Sequence, residues 1–163
     1  KLHAIAREYG IPSSLLEFEL TETILLHEFS NAQGLSEELR NFGFIVSIDD
    51  FGAGYAGLQV LQDLEFNVLK LDRKFLSEQE PLRTKNQALM PHLLQALKEM
   101  GINSICEGVE NTAQCRYLVQ NHCIEAQGFY FSKPIPPERF YAVYARLNGH
   151  YPIILPSGEN KIN

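Results

Sequence analysis

The chain has 163 residues, 45% of them hydrophobic, enough to bury a sizeable core within one domain. A formal net charge of -6 and a pI near 5.4 argue against a nonspecific duplex-DNA binder, which requires a basic face, so no DNA partner is expected. No apolar run approaches the ~20 residues that span a bilayer, and KLHAIAREYG at the start lacks the layout of a secretory signal.

Leu2, Ile5, Ala6 and Tyr9 fall at helical spacing, and Gly10 with Pro12 stops that helix. Residues 15–21 alternate as a strand, Leu16, Phe18 and Leu20 on one face and Glu17, Glu19 and Thr21 on the other. A helix with Leu35, Leu39 and Phe42 inward follows, ended by Gly43. The second strand, residues 44–50, ends in two adjacent acids, Asp49 and Asp50, and breaks into a glycine-containing loop. Leu58, Leu61 and Leu64 mark a short helix, and VLKLD at residues 68–72 is the third strand. Residues 77–87 read as a loop. Leu89, Leu93, Leu97 and Met100 then form a helical stripe, with Pro91 expected in the first turn or as a distortion. A fourth strand at 103–107 leads through Gly108 to Glu110 and a helix capped by Asn111, with Cys115, Leu118 and Val119 inward. The fifth strand is placed at 124–131, holding Gln127. Pro136 and Pro137 open a last helix with Phe140, Val143, Tyr144 and Leu147 on one face. Residues 148–163 show no periodicity and read as a tail.

Strand and helix alternate five times, which implies parallel strands joined by crossovers. Each strand carries one polar and one apolar face, so a (β/α) TIM-like barrel is expected rather than a doubly wound sheet buried on both faces. A full barrel has eight strands and about 250 residues. The expectation is therefore an α/β barrel truncated at its N-terminus, with about five of eight strands present. Cys106, Cys115 and Cys123 are odd in number and form no CxxC pair, which predicts reduced thiols and a cytoplasmic location. The five histidines have no paired spacing, so zinc is a poor expectation.

Active groups of such barrels come from the C-terminal strand ends. Glu19, Asp49, Lys70 with Asp72, Glu107 and Gln127 all occupy those positions. Taken singly, a strand-end acid reads as a solvated or capping residue, and Lys70 as an ion-pair filler of the barrel. Convergence from five strands favours a site. Oxygen ligands without histidine suit Mg²⁺ or Mn²⁺, and a pair of such ions clamps a phosphoryl group, with a lysine beside them to orient water or offset charge.

ELTE (residues 19–22), DDFGAGYAGL (49–58), KLD (70–72), EGVE (107–110) and QGFYFSKP (127–134) together resemble the ordered motif set of EAL-type cyclic di-GMP phosphodiesterases. The resemblance covers residues 15–140 and rests on five linked motifs; DDFG alone would be unspecific. It implies hydrolysis of cyclic di-GMP to linear pGpG with two Mg²⁺ or Mn²⁺ ions. It implies that Glu19, Asp49 and Asp50 are metal ligands, that Asp72 belongs to the metal and water network, and that Glu22 holds the loop after Asp50. Lys70 would contact the attacking water, Glu107 would act as base or water-orienting carboxylate, and Glu110 and Gln127 would complete the pocket. Domains of this kind commonly act as homodimers and sit beside cyclase or sensory domains.

This sequence departs from the pattern where the eponymous EAL glutamate and an early asparagine should precede ELTE; residues 1–15 hold no counterpart. Ala53, Ala56, Gly57 and Cys106 are small-for-small changes. Residues 1–147 are accordingly expected to be the C-terminal portion of the barrel, with little turnover alone, and its open strand edges are expected to drive self-association. The alternative is a catalytically inactive EAL-like domain that binds cyclic di-GMP or a partner protein as a sensor. An unrelated metal-dependent barrel acting on a carbonyl substrate would require the motif spacing to be coincidence.

Overall fold

The computed structural model describes residues 1–54, 57–79, 82–123 and 125–146. Five parallel strands form one sheet: β1 (Glu17–Thr21), β2 (Ile45–Phe51), β3 (Val68–Leu71), β4 (Asn103–Cys106) and β5 (Glu125–Ala126). Their order in the sheet is their order in the chain. A doubly wound sheet reverses that order at a switch point, whereas a barrel adds every strand on the same side. The helices are α1 (Leu2–Glu8), α2 (Glu22–Asn41), α3 (Leu58–Asp63), α4 (Leu82–Glu99), α5 (Thr112–Gln120) and α6 (Pro137–Arg146). Leu147 and the tail at 148–163 lie outside the described residues. No described helix is long and apolar enough to cross a membrane.

Alternation in the strands sorts the side chains. Val46, Ile48, Leu69, Leu71 and Cys106 are fully buried, as are Met90 and Leu97 of α4, with Leu118 of α5 nearly so. Each large aliphatic side chain so placed contributes about 1.5–3 kcal/mol relative to exposure. The opposite face carries Glu19 and Ser47, which are Cα partners across β1 and β2, and Lys70 on β3.

Several helices depart from the expected faces. The inward stripe of α2 is Leu25, Ala32, Ser36 and Leu39, and Leu35 and Phe42 are exposed. That helix begins at Glu22 immediately after β1, and non-helical torsions at Glu28 break its period, so spacing counted back from Gly43 misses its first half. Leu58 and Val119 are likewise exposed, leaving Val60, Leu61 and Leu118 to face the core. Helix α4 starts at Leu82, inside the stretch read as a loop, and Pro91 lies in its interior. The buried row Asn86, Met90, Leu93, Leu94 and Leu97 runs straight through the proline. Burying that row outweighs the roughly 3 kcal/mol an interior proline costs. Leu89 and Met100, assigned to the stripe by spacing, are exposed.

The fifth strand is two residues long, not the 124–131 expected. Beyond Gln127 the chain crosses Val109 so closely that any Cβ at Gly128 would strike Val109 backbone. Tyr130 N–H donates to Val109 O at 3.0 Å and Phe131 N–H to Gly128 O at 3.1 Å, so the backbone turns out of the ladder.

Candidate metal centre

Lys70 occupies the middle strand and is only 8% exposed. Its Nζ lies 2.7 Å from Glu19 Oε1, 3.1 Å from Asp49 Oδ1 and 3.1 Å from Glu107 Oε1, so side chains from β1, β2 and the end of β4 meet on one ammonium. Burial pulls the Lys70 pKa down, but contacts with Glu19, Asp49 and Glu107 more than offset it, and the group is held well above its ordinary value. It stays an ammonium at any physiological pH.

Strict pleat alternation would send Asp49 and Asp50 to opposite faces. A register shift between β2 and β3 prevents this. Ile48 pairs with Leu69 but Phe51 pairs with Leu71, so two residues of β2 face one of β3. Asp50 has φ of 57°, a left-handed conformation that aspartate tolerates better than most residues. The bulge turns both acids toward the same space. Asp49, Asp50 and Glu107 each bring a carboxylate oxygen within 4.8 Å of the other two.

The electrostatics of this group are those of a cation site. Three carboxylates, Glu19, Asp49 and Glu107, contact one ammonium, and Asp50 stands beside the last two. Burial, then repulsion from Asp49 and Asp72, pushes Asp50 above the ordinary carboxylate range, with Lys70 opposing. Burial also raises Glu107, against the pull of Lys70. Asp49 Oδ1 is sealed from solvent, with the Lys70 ammonium 3.1 Å away. A buried carboxylate oxygen of that kind, in an all-oxygen group with excess negative charge, fits a hard divalent cation.

The other expected residues stand around this centre. Gln127 Nε2 donates to Glu107 Oε1 at 2.6 Å and fixes that carboxylate. Glu22, buried at the start of α2, accepts from Gly54 N–H at 2.9 Å. Glu19 meets Lys70 and is not among the three carboxylates that close on one another. Asp72 is also outside that trio; its Oδ1 accepts from Lys74 N–H at 2.9 Å and caps a 3₁₀ turn, Arg73–Leu76. Glu110 is exposed and lines a neighbouring cavity of about 510 Å³ with Arg73, Lys74, Gly108 and Asn111. The family resemblance cast Glu107 as a base or water-orienting group; in the structure its carboxylate lies with those of the two aspartates. Lys74, whose ammonium donates to Ala53 O, and the buried Asn86, which donates to Lys74 O at 2.6 Å, carried no periodic or motif signal.

A family model described as the EAL domain matches residues 1–134. The chain is 35% identical over 133 residues to the signaling protein YkoW of Bacillus subtilis, 82% of this chain and 16% of that protein. It is 34% identical over 134 residues to the cyclic di-GMP phosphodiesterase NbdA of Pseudomonas aeruginosa, 82% of this chain and 17% of that protein. The EAL domain of Mycobacterium smegmatis DcpA superimposes with a TM-score of 0.79 at 30% identity, over 89% of this chain and 65% of that one. Klebsiella pneumoniae BlrP1, solved as a manganese and cyclic di-GMP complex, gives 0.73 at 28% identity, over 82% of this chain and 34% of that one. The chain thus spans less than a fifth of the two curated relatives.

Proposed function

This chain belongs to the EAL domain family, and on that premise we propose that it contributes the metal-binding strand ends of a cyclic di-GMP phosphodiesterase that releases linear pGpG. The observation that carries the reading is the trio Asp49, Asp50 and Glu107 closing within 4.8 Å beside a lysine held in its charged form. Asp49, Asp50 and Glu107 would hold Mg²⁺ or Mn²⁺, two ions in the complete site, with Glu19 and Asp72 at its margin. When bound, such ions polarise the phosphoryl oxygens and lower the pKa of an attacking water.

The chain's own residues do the positioning. Lys70 is a donor and not a base, because its three carboxylate contacts keep it protonated. It orients the incoming oxygen and offsets charge that gathers on the phosphoryl group. Gln127 aims Glu107, and the bulge at Asp50 turns neighbouring acids to one side, where both would hold a bound ion. Glu22 steadies the loop after β2 through Gly54, and Glu110 borders the adjoining cavity.

The decisive experiment incubates the full-length protein containing these 163 residues with cyclic di-GMP and Mn²⁺ and separates the products chromatographically. Release of pGpG that stops on chelation is expected. Tight binding of the dinucleotide with no cleavage would overturn the enzymatic reading in favour of a sensor.

A further inference from the structure

The loop that leaves β2 is held at one peptide unit from both of its polar ends. Gly54 N–H donates to the Glu22 carboxylate at 2.9 Å, and the carbonyl of the same peptide, Ala53 O, accepts from the Lys74 ammonium. The N–H end of a peptide dipole therefore faces a negative charge and the C=O end a positive one. Flipping this peptide would turn its carbonyl toward Glu22 and its N–H toward Lys74, reversing both interactions.

Lys74 is itself fixed. Its backbone N–H is bound by Asp72 Oδ1, and its carbonyl accepts from Asn86 Nδ2 at 2.6 Å, a buried amide on the otherwise apolar inner row of α4. On the other side, Ala53 N–H donates to Asp50 O at 2.9 Å and closes the turn that keeps Asp50 in its left-handed conformation. A chain of contacts thus runs from α4 through Lys74 and the 53–54 peptide to the bulged aspartate.

We propose that Lys74 is a positioning residue of the metal centre, locking the orientation of the 53–54 peptide opposite Glu22 and through it the backbone of Asp50. The inference deepens the phosphodiesterase reading and rests on it for its consequence, though the lock itself is a property of the fold. Lys74 is exposed, so its removal leaves the core intact.

The test compares wild type, Lys74→Met and Lys74→Arg in the full-length protein. Hydrogen exchange at the Gly54 amide should be about tenfold faster in Lys74→Met, with the thermal midpoint little changed. Mn²⁺ affinity, read from the free-ion paramagnetic resonance signal, should fall several-fold. Turnover should fall through kcat and recover at high Mn²⁺ without a change in KM. Lys74→Arg should restore all of these. Equal protection of Gly54 in wild type and Lys74→Met, or a loss that arginine fails to restore, overturns the proposal. Absence of Mn²⁺ binding and turnover in wild type would instead overturn the phosphodiesterase reading, and the exchange comparison would still decide the lock.

Discussion

Three carboxylates lean on the Lys70 ammonium, and two of them, Asp49 and Glu107, are mostly shielded from solvent. Lys70→Met leaves those charges facing one another. With Glu19 half exposed, the expected loss lies between that of a surface pair and a buried one, about 2 kcal/mol, or roughly 4–8 °C in Tm by calorimetry. Cleavage by the full-length protein should fall at least ~100-fold, because the proposed transition-state donor is lost. Asp49→Asn keeps the shape and removes the buried anion; Mn²⁺ titration by calorimetry should show binding weakened at least ~10-fold and the rate lowered by orders of magnitude. The raised Glu107 carboxyl sets a pH signature. Its folded pKa exceeds its unfolded one, so the native state holds the extra proton, and stability is present below that window and lost as pH rises through it. In metal-free protein the urea midpoint of Glu107→Gln should therefore gain on wild type as pH rises above the ordinary carboxylate range. Saturating Mn²⁺, which on the proposed reading binds the deprotonated form, should erase that gain.

At the scale of elements, the interior proline of α4 is the clearest liability. Pro91 removes one hydrogen bond from the middle of the helix and is itself only partly exposed, off the fully buried row. Pro91→Ala should raise stability by about 1–2 kcal/mol, measured as a higher urea midpoint at unchanged slope. What was legible in the sequence at this scale, and what was not, follows from range. Strands β1 to β4 were legible because period-two alternation is local, and the Asn111 cap because its partner, Gln114 N–H, is three residues away. The early start of α4 and the abrupt end of β5 were not, because each is settled by distant contacts. Asn86 reaches Lys74, and Val109 backbone occupies the space that a longer β5 would cross. The same holds in the site. The acidic strand ends were visible as residues, but that Glu107 joins the aspartates while Asp72 turns to cap Lys74 depends on register and a bulge that no spacing encodes.

Over the whole molecule, the described sheet has two open sides. β1 is bonded only to β2 and β5 only to β4, and the segment before β1 carries exposed Leu2, Ile5 and Leu15. Unpaired edges of a parallel sheet are templates for another strand, and a barrel has none. These 163 residues produced by themselves should associate, with sedimentation coefficients that rise with concentration; a compact monomer at every concentration would count against that. The consecutive strand order explains why the site is assembled from such separated stretches. Each crossover returns the chain to the same end of the sheet, so Glu19 and Glu107, 88 positions apart by their numbers, share one ammonium.

The bulge in β2 makes the centre sensitive to counting as well as to chemistry. Asp49 and Asp50 share a face only because one strand carries a residue more than its neighbour. A substitution at either position removes a carboxylate and leaves the frame of the pleat unchanged. Deleting one residue between Ile48 and Phe51 would restore the regular ladder, straighten the strand and leave a single acid facing the site, even in a chain whose remaining motifs were all intact. Family members that gain or lose one residue at this point should therefore be judged by strand register before their acidic residues are counted.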